Sequence, residues 1–150
     1  MNHLFDIFAT LDQLPPNSEA VLATGVSVGG SAYRQPFSCM LILADGQSIG
    51  MVSGGCLEKH LVQRAFWLTR AGATLKTYHT ATDSQLSQDE VADDSDEQEG
   101  FGLGCQGVIQ VLFERLILNE QSVLFACFQR LKQPKQRQTL ATVVTSNSDE

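Results

Sequence analysis

The sequence predicts an α/β fold, a mixed β-sheet with packed helices and with cysteine-bearing, glycine-rich loops at one edge. Three observations predict it. Helical apolar spacing recurs over Leu4–Leu14, Leu57–Arg70 and Leu124–Leu131. Short β-branched and apolar runs lie between these stretches, bounded by Gly, Pro, Asp and Ser. Two glycine-rich segments, Ser53-Gly54-Gly55-Cys56 and Gly102-Leu103-Gly104-Cys105-Gln106-Gly107, stand beside strand-like runs.

In chain order, Leu4, Ile7, Phe8, Leu11 and Leu14 mark a first helix, stopped by Pro15-Pro16. Glu19–Ser27 reads as a largely buried strand, and Val28–Pro36 as a loop rich in breakers. Ser38–Ala44 is a second strand. Asp45-Gly46 is a strong hairpin signal, and the return strand, Gln47–Val52, delivers the chain into Ser53-Gly54-Gly55-Cys56. Leu57, Leu61, Ala65 and Leu68 then line one helix face, widened by Val62 and Phe66. That helix is expected to end at Ala71-Gly72, since glycine suits the position after a helix. Thr74–Thr80 and Val108–Phe113 follow as strands. Leu124, Cys127, Phe128 and Leu131 give a third helix, and Thr139–Thr145 a last strand.

With 150 residues, 43% hydrophobic and 18% charged, the chain has the size and composition of one soluble globular domain. Its net charge of −7 is local. Residues 81–100 hold eight acids and no Lys or Arg; outside them nine acids face ten bases. The acidity belongs to a solvated loop and argues for no general partner. No basic patch points to nucleic acid, no run of 18 apolar residues to a membrane span, and no basic n-region to secretion. Four cysteines, Cys39, Cys56, Cys105 and Cys127, lie far apart without CxxC spacing, which suits a reducing cytoplasm better than a disulfide framework.

A shift of 118 residues lays Leu140-Ala141-Thr142 on Leu22-Ala23-Thr24 and Pro134 on Pro16. The expectation is a domain over 1–118 and the start of a second, truncated helix–strand unit over 119–150. A symmetric homodimer would cover a sheet edge left by such a truncation.

The chemistry concentrates at the two cysteine loops. A strand, a Gly-Gly turn and a helix start leave N–H groups unpaired at the positive end of the helix dipole, where anions bind and a thiol tends toward thiolate. The simpler reading makes Ser53 an N-cap, the glycines a tight turn and Cys56 a small helix-start residue. Cys105 lies among Gly102, Gly104 and Gly107, where the main chain can meet a ligand closely. Together the loops suit a ligand with an anionic end and a soft or electrophilic centre. Gly102–Gly107 also spells G-x-G-x-x-G, but it precedes a strand, the reverse of a dinucleotide-binding turn. His60, one turn after Cys56, is expected to face solvent; Cys39 and Cys127 fall in strand and helix patterns as core residues.

The ordered set Ala23-Thr24, Gly30-Ser31-Ala32-Tyr33-Arg34-Gln35-Pro36, Gly50-Met51-Val52-Ser53-Gly54-Gly55-Cys56-Leu57-Glu58 and Gly102–Gly107 resembles the XdhC/CoxI family over about residues 20–115. That resemblance implies an accessory protein of molybdenum hydroxylases such as xanthine dehydrogenase, aldehyde oxidoreductase and carbon monoxide dehydrogenase. Such proteins bind molybdenum cofactor, a pterin dithiolene in mono- or dinucleotide form. They support its sulfuration with a cysteine desulfurase and deliver it to the apo-molybdoenzyme. Many carry a C-terminal Rossmann-type domain, which these residues lack. The residues matching the family motifs are Tyr33, Arg34, Ser53, Gly54, Gly55, Cys56, Gly102, Gly104, Cys105 and Gly107, with Cys56 and Cys105 near molybdenum or its sulfur ligands. Two departures matter. Pro36-Phe37-Ser38 stands where the family continues Pro-Gly-Ala, and Gln106 replaces a glycine beside Cys105.

Two functions are therefore expected to compete. One is a cytoplasmic cofactor-binding chaperone, its helix start on a phosphate and Arg34 adding a bidentate contact. The other is a thiol-dependent enzyme, a sulfurtransferase or oxidoreductase with Cys56 as nucleophile.

Overall fold

The structure, a computed structural model, describes residues 3–30, 37–55, 57–79, 107–132 and 140–142. Its elements are α1 (Leu4–Gln13), β1 (Glu19–Gly30), β2 (Cys39–Leu43), β3 (Ser48–Gly50), α2 (Glu58–Leu68), β4 (Thr74–His79), β5 (Gly107–Ile117) and α3 (Val123–Leu131). The strands form one five-stranded sheet in the order β3-β2-β1-β5-β4.

The apolar run of β1 is continuous because both sheet faces are covered. Val21 and Ala23 turn to one face, where Leu57, Leu61, Ala65 and Leu68 of the α2 region pack with Met40, Ile42, Ile109, Val111 and Phe113. Ala20 and Leu22 turn to the other, against Ile7 and Leu11 of α1 and Phe128 of α3. Phe8 meets Phe128 edge-on at 5.6 Å, so α1 and α3 share this layer. The helix after residue 118 thus docks on the same sheet as the first, and Lys132 pairs with Asp12 beside it.

The expected α/β architecture of sheet and packed helices is present. All described strand pairings are antiparallel, so the sheet is more uniform than the mixed one expected. The pairings show why: α2 carries the chain from β3 at one edge to β4 at the other, two strands that run alike but never touch. Other expectations shift at their boundaries. β1 runs on to Gly30, through residues that read as loop, because β5 supplies a ladder partner to each of Val28, Gly29 and Gly30. β5 likewise reaches Ile117, and α2 closes at Leu68 rather than near Gly72. The strand expected over Thr139–Thr145 is not formed at Leu140–Thr142, its described part, where no ladder partner is present.

Arg115 fastens α2 to the sheet. Its guanidinium donates to Glu19 Oε2 at 2.6 Å, to the Phe66 carbonyl at 2.6 Å and to Thr69 Oγ1 at 3.1 Å, and it lies 4.8 Å over the Phe66 ring. Thr69 in turn donates to the Ala65 carbonyl, so the planar cation caps the Phe66 carbonyl directly and braces the last turn of α2 through Thr69. Arg115→Lys keeps the charge but loses the fork. We expect it to lower unfolding stability by about 1–2 kcal/mol in urea titration; an unchanged midpoint would refute this clamp.

Candidate functional site

The sheet gathers the motif-bearing segments at one end. The carboxyl ends of β1, β3 and β4 and the amino ends of β2 and β5 all point there, as the register Thr24↔Cys39, Met40↔Gly50, Gly30↔Gly107 and His79↔Val108 requires. That end is stepped: the β1–β5 ladder continues five rungs, about 17 Å, beyond the level of Cys39 and Thr24. Tyr33, Arg34, Cys56, Gly102, Gly104 and Cys105 lie outside the described residues. The described residues that flank them, Gly30 and Phe37, Gly55 and Leu57, and His79 and Gly107, lie at this end. Gly107 opens β5 opposite Gly30.

The turn from Val52 to Leu57 is built around a carboxylate. Glu58, the first residue of α2, turns its side chain back over the turn. Its Oε1 accepts from the N–H groups of Val52 at 3.0 Å, Ser53 at 2.8 Å and Gly54 at 3.3 Å. Its Oε2 accepts from the Gly55 N–H and from the Ser53 hydroxyl, both at 2.8 Å. Ser53 Oγ accepts in turn from the Leu57 N–H at 3.0 Å. The chain is therefore held on both sides of Cys56, at Gly55 by Glu58 and at Leu57 by Ser53. Gly54 and Gly55 sit at φ of 100° and 121°, a region that L side chains avoid, so the wrap needs glycine at both.

This arrangement corrects one expectation. The N–H groups of the Gly-Gly turn do not stand open for an external anion, because the chain supplies its own. Burial by itself would push the Glu58 carboxyl upward, but the hydrogen bonds from Ser53 and Val52 outweigh it and hold the acid below its ordinary value. An ionised carboxylate thus faces the positive end of α2. Ser53 is not the N-cap expected of it: that position falls to Leu57, without a side-chain cap bond, and the Ser53 hydroxyl instead holds the Leu57 N–H. Glu58 stands in the matched motif, but sequence reasoning gives it no role. The readable signal is an acid in the first turn of a helix, directly after a turn with orphan N–H groups.

A second unforeseen residue is Phe37. Its N–H donates to the Gly25 carbonyl at 2.6 Å, while the Gly25 N–H donates to the Ser38 carbonyl at 2.9 Å. Two residues of one strand thus oppose one of the other, with the first at φ +70°. These are the features of a bulge whose first position is normally glycine. The other end of β2 follows the same pattern with a glycine: Gly46, φ +86°, donates to the Leu43 carbonyl, and Leu43 donates to Gln47. Phe37 breaks the rule that Gly46 obeys. Gly25 also joins the bulge to the cysteine turn, since a Cβ on it would lie 3.2 Å from Val52. Beside the bulge, the Cys39 thiol donates to the Phe37 carbonyl at 3.5 Å and lies 3.8 Å from Thr24 Oγ1. Burial pushes that thiol up and keeps it protonated, consistent with its place at the border of the core.

His60 differs from its expected solvent-facing position: it is half-buried, its ring edge-on to Tyr78 at 5.8 Å. Among the described residues no group of three or more His, Cys, Asp or Glu is placed to hold a metal ion. No helix among them is long and apolar enough to cross a membrane. Among the described residues nothing stands within 4 Å of where a Cβ on Gly54 or Gly55 would lie.

Comparison with known proteins bears on the chain's family. The XdhC and CoxI family matches residues 15–79, a range that runs from the first Pro pair through the cysteine turn to the end of β4. A probable xanthine dehydrogenase subunit of Bacillus subtilis (strain 168) is 39% identical over 104 residues, which are 69% of this chain and 28% of that protein. The crystal structure of a xanthine dehydrogenase from Bacillus halodurans superposes with a TM-score of 0.60 at 30% identity, over 87% of this chain and 34% of the other. The chain thus spans about a third of the length of the relatives it matches. With sequence and fold in accord, residues 15–79 match the XdhC and CoxI family.

Proposed function

We propose that this chain serves the maturation of a molybdenum hydroxylase by binding molybdenum cofactor as cargo and passing it to the apo-enzyme. The observation that carries this reading is the turn locked by Ser53 and Glu58 on both sides of Cys56. A cysteine with both chain neighbours fixed, beside Gly54 and Gly55, suits a soft ligand that must be held and then released. Cys56, with Cys105 from the loop before β5, would contact the molybdenum or its sulfur ligands. Tyr33 and Arg34, in the connection between β1 and β2, would meet the rest of the cargo, and Arg34 would take over the phosphate that the filled N–H turn does not hold. Sulfuration of the cargo by a cysteine desulfurase, delivery in the cytoplasm and a homodimeric carrier belong to the same reading.

Glu58 also bears on the alternative, a thiol enzyme with Cys56 as nucleophile. A full negative charge at the helix start opposes the field that would acidify a neighbouring thiol, so the helix start by itself supplies no activation of Cys56 as a nucleophile. Equilibrium binding of molybdenum cofactor under anaerobic conditions decides between them. Cys56→Ser and Cys105→Ser are each expected to weaken binding on the order of tenfold. Folded wild-type chain that binds no cofactor would refute the carrier.

A further inference from the structure

Phe37 carries two liabilities at once. It occupies a left-handed backbone position normally reserved for glycine, and its side chain is 76% exposed and belongs to neither core cluster. Folding explains neither. A glycine would make the same bulge without strain, as Gly46 does at the other end of β2. Burial does not compensate, because the ring buries little. Strained positions kept without structural return concentrate at functional sites.

The location is informative. Phe37 is bonded through its N–H to Gly25, and a Cβ on Gly25 would lie 3.2 Å from the side chain of Val52, the first residue of the turn that Glu58 locks. The exposed ring is thus tied, through one strand residue, to the cysteine turn. Exposed aromatic rings in such settings stack on flat heterocycles, whose π-faces they match.

We propose that Phe37 is a stacking platform for a flat nitrogen heterocycle, the 2-amino-4-oxopyrimidine ring shared by a pterin and a guanine base. The proposal rests on the carrier reading and adds a residue to it. Phe37 holds the heterocycle, while the cysteines serve the metal and sulfur end of the same cargo.

The test uses the whole 150-residue chain, wild type beside Phe37→Gly and Phe37→Trp, with two probes, pterin-6-carboxylate and GMP, titrated by fluorescence and calorimetry. Phe37→Gly keeps the bulge and relieves its strain, so it is expected to melt about 2–4 °C higher than wild type. It should nonetheless bind the probe about tenfold more weakly. Phe37→Trp should restore binding. Preference for pterin-6-carboxylate assigns the platform to the pterin; preference for GMP assigns it to the base of a dinucleotide form. Equal probe binding by wild type and Phe37→Gly, or none by wild type, would overturn the proposal. A change only in oligomeric state on light scattering would also overturn it and make the ring a contact between chains. Molybdenum cofactor binding, measured alongside, separates the two failures. If the cofactor binds and is lost with Cys56→Ser but is indifferent to Phe37→Gly, the platform fails and the carrier stands; if it does not bind at all, the carrier itself fails.

Discussion

Glu58→Gln is expected to lower the stability of the chain by about 2 kcal/mol at neutral pH, because hydrogen bonds to a charged acceptor are worth about 1.5–3 kcal/mol and this carboxylate accepts from four main-chain N–H groups and one hydroxyl. The site is only half-buried, so water replaces part of what is lost and the sum of the bonds is not recovered. Glutamine offers one acceptor oxygen and turns an NH2 toward donors, so the turn loosens around Cys56 rather than rearranging. Urea titration measures the loss.

The pH dependence has a definite sign. The folded state holds Glu58 below its ordinary value of 4.5, so its stabilising contribution is complete above that value and fades as pH falls through the lower folded one. Wild type and Glu58→Gln should therefore differ most near neutrality and converge in acid. Glu114 works in the opposite direction: burial raises its carboxyl, so its ionisation costs stability as pH rises from 4.5 through the higher folded value. The two slopes have opposite sign and lie on opposite sides of 4.5, so the wild-type curve carries both. Only the difference between wild type and Glu58→Gln isolates the turn, and a difference that stays constant from neutral to acid pH would refute the role given to this carboxylate. Alkylation of Cys56 at neutral pH should also quicken in Glu58→Gln, since a full negative charge no longer opposes the thiolate.

What is legible in the sequence, and what is not, divides along the range of the forces. The helices follow from local periodicity, and Ile7, Leu11, Leu61, Ala65 and Phe128 are buried where their spacing puts them. The hairpin at Asp45-Gly46 follows from turn chemistry, completed by Asp45 accepting from the Gln47 N–H. Strand order does not follow, because it depends on pairings such as Gly30↔Gly107 that join residues far apart in the chain. The same pairings override the local message of Gly29 and Gly30, which read as loop and fold as strand. At the site, the glycine turn is legible, but its occupant is not. Glu58 lies only a few residues from the N–H groups it satisfies, yet its role emerges only once the turn's φ values bring those groups around one point. Phe37 is visible in the sequence solely as a departure from Pro-Gly-Ala. That its backbone keeps the glycine conformation is a fact of the bulge and not of the residue.

Gly50→Ala is expected to be the most damaging single methyl in the described part of the chain, at about 3–5 kcal/mol. Two costs combine. At φ +87°, any L residue pays about 1–2 kcal/mol for the left-handed backbone. A Cβ there would also lie 2.3 Å from the Cys39 carbonyl oxygen, far inside contact distance and against backbone that cannot swing away. Gly54→Ala separates the costs: its φ is +100°, but among the described residues nothing lies within 4 Å of the new methyl, so only the first cost is expected and the loss should stay at about 1–2 kcal/mol. Equal losses in the two variants would refute the steric account. The damage should also be directional. Gly50 pairs with Met40 at the last rung of a three-residue edge strand, and the cysteine turn begins two residues later. Relief of the clash by peeling β3 from β2 would release Val52 from Gly25 and loosen the anchoring of the Glu58 turn while leaving the β1–β5 ladder intact. Hydrogen exchange should then show lost protection at Ile49 and at Val52–Gly55 with protection kept at Val111–Phe113, and uniform loss across the sheet would mean that β3 and the turn fold as one unit with the core.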